Sequence, residues 1–309
     1  LIKLDVPPNN LSEDQRQFYP TNIKLNDDGN IECEVDGQYL NVENLPNGDI
    51  FGDVLLCHPR KNSAQRLIRR QSDHNTILFT ERCDQMCAMC SQPPKDRDYS
   101  PLFGFYKDAI LLADEGVRIG ISGGEPTLYI LVLLDILEAV ATQRPDLQIH
   151  ILSNCQHLLD EYSERLTALH EQIEILWGIP LYSYNKATHD EIVGKVGAFE
   201  KLMAGLYRLA ATGASIELRT VLTARNALDF PYLAKFIGTN LPFISFWAIM
   251  AMEPIGFAKA NKDQLFFDHS VFPQPLISAI ENSRTLGVEP RLYNFPLCTV
   301  PHNYRSHCV

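Results

Sequence analysis

Cys83, Cys87 and Cys90 stand at C-x3-C-x2-C spacing on one short stretch of chain. Thiolates crowded on one loop can converge on a single soft metal centre, and such donors select iron–sulfur, zinc or copper(I). A structural zinc site asks for a fourth ligand and usually a second knuckle, and the sequence has no second C-x2-C. Ordinary ferredoxin clusters take four cysteines. Three suit a cubane with one iron left open to a small molecule. The bland alternative is three unliganded buried thiols. A second group is Ser122-Gly123-Gly124-Glu125-Pro126, where missing Cβ atoms admit close backbone approach and proline stiffens the turn. Taken alone it is an ordinary strand-to-helix turn.

Other polar residues fall at expected strand ends. Ser153-Asn154 can cap the segment from Gln156. Ser183 follows Pro180-Leu181-Tyr182, Arg219 can pair with Glu217 or Asp190, and Glu253 precedes Pro254. Cys155 reads best as a small buried residue. Cys298 and Cys308 lie near His302 and His307, but two cysteines are too few for a complete four-cysteine cluster site.

The elements that must position these residues read as alternating strands and helices. Strands are expected at 77–80, 117–122, 147–152, 173–179, 215–222 and 243–251. Helices are expected at 105–115, 131–142, 157–170, 199–211, 228–237 and 275–286, with Gly116, Gly213 and Gly287 as stops. Such alternation builds βαβ units on a parallel sheet, and right-handed crossovers roll six units into a partial (β/α)6 TIM-type barrel. Chemistry in such folds sits at the C-terminal strand ends, where the cysteines and the glycine turn fall. Residues 1–75 differ. They carry short strands at 31–35 and 53–57 with turn signals Asp28-Gly29, Asp36-Gly37 and Asn47-Gly48, and read as a small β-rich element. The division is 1–75 N-terminal element, 76–256 barrel and 257–309 C-terminal extension. Arg60 to Arg70 holds five basic residues, a solvated face or a docking patch for an acidic partner.

Composition narrows the class. The chain has 309 residues, 45% hydrophobic and 21% charged, enough apolar mass for a large core, which excludes disorder and fibrous structure. The net charge of −11 makes it a poor generic binder of nucleic acid or anionic membrane. The most apolar stretch, 129–141, is interrupted by Asp135 and Glu138 and reads as an amphipathic helix, not a span. The start, LIKLDVPPNN, has no signal-peptide pattern and no initiator Met, so a cytoplasmic protein is expected, and one whose chain is processed, trimmed or partial. With no export signal, eight cysteines point to metal or redox use over a disulfide framework.

The cysteine triple after a first barrel strand, with Gly123-Gly124-Glu125-Pro126 after the second, resembles the radical S-adenosylmethionine (SAM) superfamily over roughly 76–256. The resemblance implies that Cys83, Cys87 and Cys90 hold three irons of a [4Fe-4S] cluster whose fourth iron takes the amino and carboxylate groups of SAM. One-electron reduction would then yield methionine and a 5′-deoxyadenosyl radical that abstracts a hydrogen atom. The hard chemistry belongs to the cofactor, and the protein supplies placement and water exclusion. Met89 would pack the adenine, at a position often aromatic in the superfamily. Gly123 and Gly124 would let backbone carbonyls reach the SAM ammonium, Glu125 would add an acceptor, and Ser122 and Pro126 complete the turn. Ser153 and Ser183 resemble ribose contacts, and Arg219 resembles the residue that pairs with the SAM carboxylate through a bidentate fork. No residue is assigned a catalytic role beyond cofactor binding.

Longer pieces resemble the HxsC-type maturases of His-Xaa-Ser peptide systems. They are Thr80–Lys95 around the cysteines, Ile121–Leu128, His189-Asp190-Glu191-Ile192-Val193-Gly194 with Gly197-Ala198-Phe199, and Phe295-Pro296-Leu297-Cys298. That likeness implies a ribosomally made precursor peptide as substrate, a second radical SAM protein as partner and an external electron donor. It also raises an auxiliary iron–sulfur cluster near Cys298 and Cys308. The N-terminal element could offer a strand edge to the peptide. The alternatives are a radical SAM enzyme acting on a small molecule or RNA, and a non-catalytic iron–sulfur or zinc-binding partner subunit.

Overall fold

The computed structural model describes residues 1–4, 16–25, 30–35, 38–42, 50–58, 60 and 63–309. The three N-terminal turn signals and Lys61 lie outside the described residues. Two small antiparallel sheets precede the barrel. One orders β1 (Ile2–Lys3), β5 (Val54–His58) and β6 (Ser63–Ile68) as β1-β5-β6. The other runs β2 (Thr21–Leu25), β3 (Ile31–Val35), β4 (Gln38–Val42). Alternation along β5 places its two faces in different cores. Leu55 joins Ile2, Leu4, Ile31, Cys33 and Ile50, whereas Val54 and Leu56 join the large barrel core. Lys3 Nζ fastens this element to the barrel, 2.8 Å from Asp114 Oδ1 and 2.9 Å from Leu112 O.

A seven-stranded parallel sheet follows. Its strands are β7 (His74–Thr80), β8 (Arg118–Gly123), β9 (Gln148–Leu152), β10 (Ile175–Pro180), β11 (Ser215–Leu222), β12 (Phe246–Ala251) and β13 (Pro290–Tyr293). They neighbour one another in chain order, all in parallel register. Among the described residues β7 and β13 are not paired, so the barrel is open. Helices α1 (Phe103–Leu111), α2 (Ile130–Gln143), α3 (Ser163–Gln172), α4 (Lys186–Val193), α5 (Ala198–Ala211), α6 (Phe230–Asn240) and α7 (Gln274–Thr285) occupy the crossovers, with helical turns at Phe257–Ala260 and Lys262–Leu265. This is the α/β, partial TIM-type architecture the alternation predicts. The seventh strand is an addition from the segment expected as an extension. It is four residues long and opens on a proline, which an edge strand tolerates. The helix expected from 157 begins at Ser163, after a 3-10 turn at Asp160–Tyr162.

The pleat explains why a cavity exists. One parity of side chains, among them Ile119, Ile121, Ile149, Ile151, Trp177, Ile179, Ile216, Leu218, Trp247 and Ile249, is buried against the helices. The indoles keep partners there, Trp177 donating to His170 Nε2 at 3.0 Å and Trp247 to Thr220 Oγ1 at 2.8 Å. The other parity faces the barrel interior and is small or polar: Gly120, Ser122, His150, Gly178, Glu217, Arg219 and Ala248. Too few bulky groups point inward to fill the C-terminal end. Pro126–Gln143 has the length and apolarity of a membrane span. It is half buried in the protein, and α2 places seven of its residues in the core.

Candidate active site

A cavity of about 280 Å³ opens at the C-terminal ends of β8 to β12. Cys83, Cys87, Met89 and Cys90 line one side, and Ser122, Gly123, Gly124 and Glu125 another. Ser153, Tyr182, Arg219 and Met250 complete the wall. Nearly all the residues assigned from sequence therefore meet around one space. Pro126 and Ser183 do not line it. Pro126 is buried in the 3-10 turn after Glu125, and the Ser183 hydroxyl is buried and accepts from Asn185 N–H at 3.0 Å. Glu253 lies exposed in the loop after β12 and does not line the cavity either.

The two glycines answer a contact inside the protein. A Cβ on Gly123, which sits at φ +138°, would overlap the Thr80 carbonyl, and one on Gly124 would overlap the Arg82 carbonyl. The freed space lets Gly124 N–H donate to Thr80 O at 2.7 Å and Glu125 N–H to Arg82 O at 2.8 Å. The glycine turn and the entrance to the cysteine loop are thus bonded backbone to backbone.

Glu125 is buried and its carboxylate gathers four donors. Oε1 accepts from Thr127 N–H (2.9 Å), Thr127 Oγ1 (2.5 Å) and Ser153 Oγ (2.8 Å), and Oε2 from Asn154 N–H (2.6 Å). Burial pushes its pKa up against the pull of these donors. Asn154 extends the chain of contacts, donating from Nδ2 to Asp84 Oδ1 at 2.8 Å. Asp84 also meets His157 Nε2 at 3.1 Å and the Lys195 ammonium. Burial alone would raise Asp84, but its bonds to His157, Lys195 and Asn154 hold it well below the usual carboxylate range. Asn154 thus ties the glycine turn to the cysteine loop. Sequence reasoning found Asn154 beside Ser153 but missed this role, as well as Lys195, His157 and Tyr182. Their signal is spatial, since Asp84 and Lys195 are 111 residues apart.

Arg219 pairs with Glu217, its Nη1 donating to Oε1 at 2.7 Å, and its Nη2 lies 3.3 Å from Met250 Sδ. Glu217 is 2% exposed. Its other oxygen is 2.9 Å from His150 Nε2, within ion-pair distance but not aligned as a hydrogen bond. The salt-bridge alternative for Arg219 is therefore realised inside the barrel, with the guanidinium still on the cavity wall.

The three thiols carry no disulfide. Burial pushes Cys83 up to about 12, with Glu125, Asp84 and Cys90 adding to it. Cys87 is raised by burial and then by Cys83 and Cys90, and Cys90 by burial. These thiols resist ionising together unless a cationic centre takes their charge. Among the described residues no three His, Cys, Asp or Glu side chains close on a point as ligands of one metal ion would. A cubane gives each thiolate its own iron corner, so three thiols spread along one cavity wall fit it. Cys298 is exposed, Cys308 is half-buried beside Leu292, and neither forms a metal-binding group with His302 and His307.

Comparison with known proteins places the fold. Residues 77–236 match the family described as the Radical SAM superfamily. No curated protein matches the sequence significantly. Among solved structures, Streptococcus suis SuiB bound to precursor peptide SuiA superposes with a TM-score of 0.57 at 16% identity, covering 73% of this chain and 49% of that one. SuiB bound to SAM gives 0.55 at 16% identity, covering 73% and 51%. Native anSMEcpe with bound SAM and the Kp18Cys peptide gives 0.51 at 14% identity, covering 67% and 57%. The chain spans about half the length of these structures, which at such identities share its fold. The match covers half the chain and includes the cysteine loop, the glycine turn and five of the seven barrel strands: this protein belongs to the radical SAM superfamily.

Proposed function

We propose that the protein is a cytoplasmic peptide maturase. It holds a [4Fe-4S] cluster on Cys83, Cys87 and Cys90, binds SAM in the adjoining cavity, and modifies a ribosomally made precursor of the His-Xaa-Ser type, forming a new bond at a side chain. When bound, the reduced cluster and SAM supply a 5′-deoxyadenosyl radical that abstracts a hydrogen atom. The rest is the work of this chain. Gly123 and Gly124 hold the turn against the cysteine loop and present backbone to the SAM ammonium. Met89 offers a thioether to the adenine, Ser153 stands on the ribose side, and Arg219 presents its guanidinium to the carboxylate. The inward-facing small residues leave room, and the buried walls exclude water.

The observation that carries this reading is that three cysteines, the glycine turn and Arg219 line one cavity. The peptide assignment is supported by the sequence pieces resembling His-Xaa-Ser maturases and by fold neighbours solved with peptides bound. The outer strand β6, exposed at Ser63, Ala64 and Gln65, offers an edge for an extended peptide. A second radical SAM protein and an external electron donor complete the proposed system. The test is anaerobic reconstitution, then incubation with SAM, dithionite and a repeat-bearing precursor. Production of 5′-deoxyadenosine with a mass change on the peptide supports the reading. Full cluster loading with neither product, even with the partner present, rejects it. Deletion of residues 1–70 is expected to weaken peptide binding, and unchanged affinity would remove the N-terminal element from the account.

A further inference from the structure

The cysteine loop is gripped by its backbone from two sides. On one face the C-terminus of α4 receives it, Met86 N–H donating to Val193 O at 3.0 Å and Ala88 N–H to Ile192 O at 2.9 Å. On the other face stands the segment after β12. Phe257 N–H donates to Cys90 O at 2.8 Å, and Asn261 Nδ2 donates to Ala88 O at 2.9 Å across 173 residues of sequence. Gly256, at φ +59°, passes so close that a Cβ would lie 2.5 Å from both Cys90 O and Ser91 O. Asn261 is itself pinned, its N–H donating to Phe257 O and its carbonyl accepting from the Gln264 and Leu265 N–H groups. Met89, Ile192, Ala258 and Leu265 form a separate buried cluster at this junction. The two bonds from 257 and 261 bracket Met89, which lines the cavity between Cys87 and Cys90.

We propose that Asn261 is a positioning residue for the SAM pocket. It touches neither thiols nor cavity. It acts through the Ala88 carbonyl, fixing the peptide that leads into Met89 and hence the face offered to the adenine. The cysteines choose the cluster, while Asn261 sets how well the loop receives SAM. This rests on the SAM-binding reading above and assigns the segment after β12 a part in cofactor affinity.

The test uses the full chain, reconstituted anaerobically, with SAM as the probe. Asn261→Leu removes the donor at similar size. Losing one such bond is expected to weaken SAM binding about three- to tenfold. The KM for SAM should rise more than kcat falls, the SAM-induced change in the reduced cluster's paramagnetic resonance spectrum should need correspondingly more SAM, and iron and sulfide content should match the parent's. Unchanged SAM affinity overturns the proposal, whatever happens to the melting temperature, because a purely structural amide would act only there. If Asn261→Leu does not fold or load, Asn261→Ser shortens the donor out of reach without adding bulk and carries the same two outcomes. A parent protein that loads a cluster but ignores SAM rejects the functional reading itself. A parent that binds SAM, beside a variant that binds it equally well, rejects this inference alone.

Discussion

Two regions of the molecule concentrate cysteine. The loop after β7 carries three, and the tail after β13 carries Cys298 and Cys308 with two histidines nearby. In the loop each thiol lines one cavity, and the backbone is bonded to the turn after β8, to α4 and to the segment after β12. In the tail one thiol is exposed and the other lies half-buried beside Leu292. A set of ligands becomes a site when the surrounding shell fixes where its donors point. Residue count and proximity in sequence do not supply that.

The comparison breaks most directly at the cysteines. Replacing Cys83, Cys87 or Cys90 with Ala is expected to abolish SAM cleavage and lower iron content to background, read by iron assay and visible absorption. Cys298→Ser together with Cys308→Ser should leave both unchanged, and loss of part of the iron in that double variant would reveal a tail cluster. Next in size is Glu125. Glu125→Ala removes the acceptor of four donors and leaves at least the Thr127 and Asn154 N–H groups unpaired, a loss of about 2–5 kcal/mol at roughly 1–3 kcal/mol per unpaired buried group, measured by urea unfolding. Glu125→Gln keeps an acceptor and should cost less than half as much.

His189 sharpens the account of the shell. It is buried under Tyr182, its Nδ1 accepting from Tyr182 N–H at 3.3 Å, and burial lowers its pKa to about 4. The unfolded chain then binds a proton near pH 6.5 that the folded protein refuses until about pH 4. The stability His189 contributes is present above pH 6.5 and is lost as pH falls toward 4, by roughly 3 kcal/mol in all. His189→Gln should flatten the pH dependence of unfolding free energy in that window relative to the parent. Identical slopes would show that the imidazole is protonated in place.

Much of the fold was legible because strand parity and helix stops are local. The buried runs at 117–122, 147–152 and 215–222 announced strands, and glycines at 213 and 287 announced helix ends, whereas the helix expected to run to Gly116 stops at Leu111. The strand at 290–293 was not legible, being too short to show a period. At the site, types and spacing exposed the cysteines and the glycine turn. The reason for the glycines was only half legible, because the carbonyls they admit, Thr80 and Arg82, are some forty residues away in sequence. Ser183 looked like Ser153, and both hydroxyls accept an N–H two residues on, from Asn185 and from Cys155, but only Ser153 also donates to Glu125 and lines the cavity. Asn154 was visible only as a local cap, and Lys195 and Asn261 gave no signal, because their partners, Asp84 and Ala88, come near only once the barrel closes.

The central claim is tested most directly by adding SAM to the anaerobically reconstituted, dithionite-reduced protein. Paramagnetic resonance follows the cluster while released 5′-deoxyadenosine is quantified. The account predicts a [4Fe-4S] signal that changes on adding SAM, with nucleoside formed. A chain that binds zinc in place of iron, or a cluster signal indifferent to SAM with no nucleoside released, would contradict it.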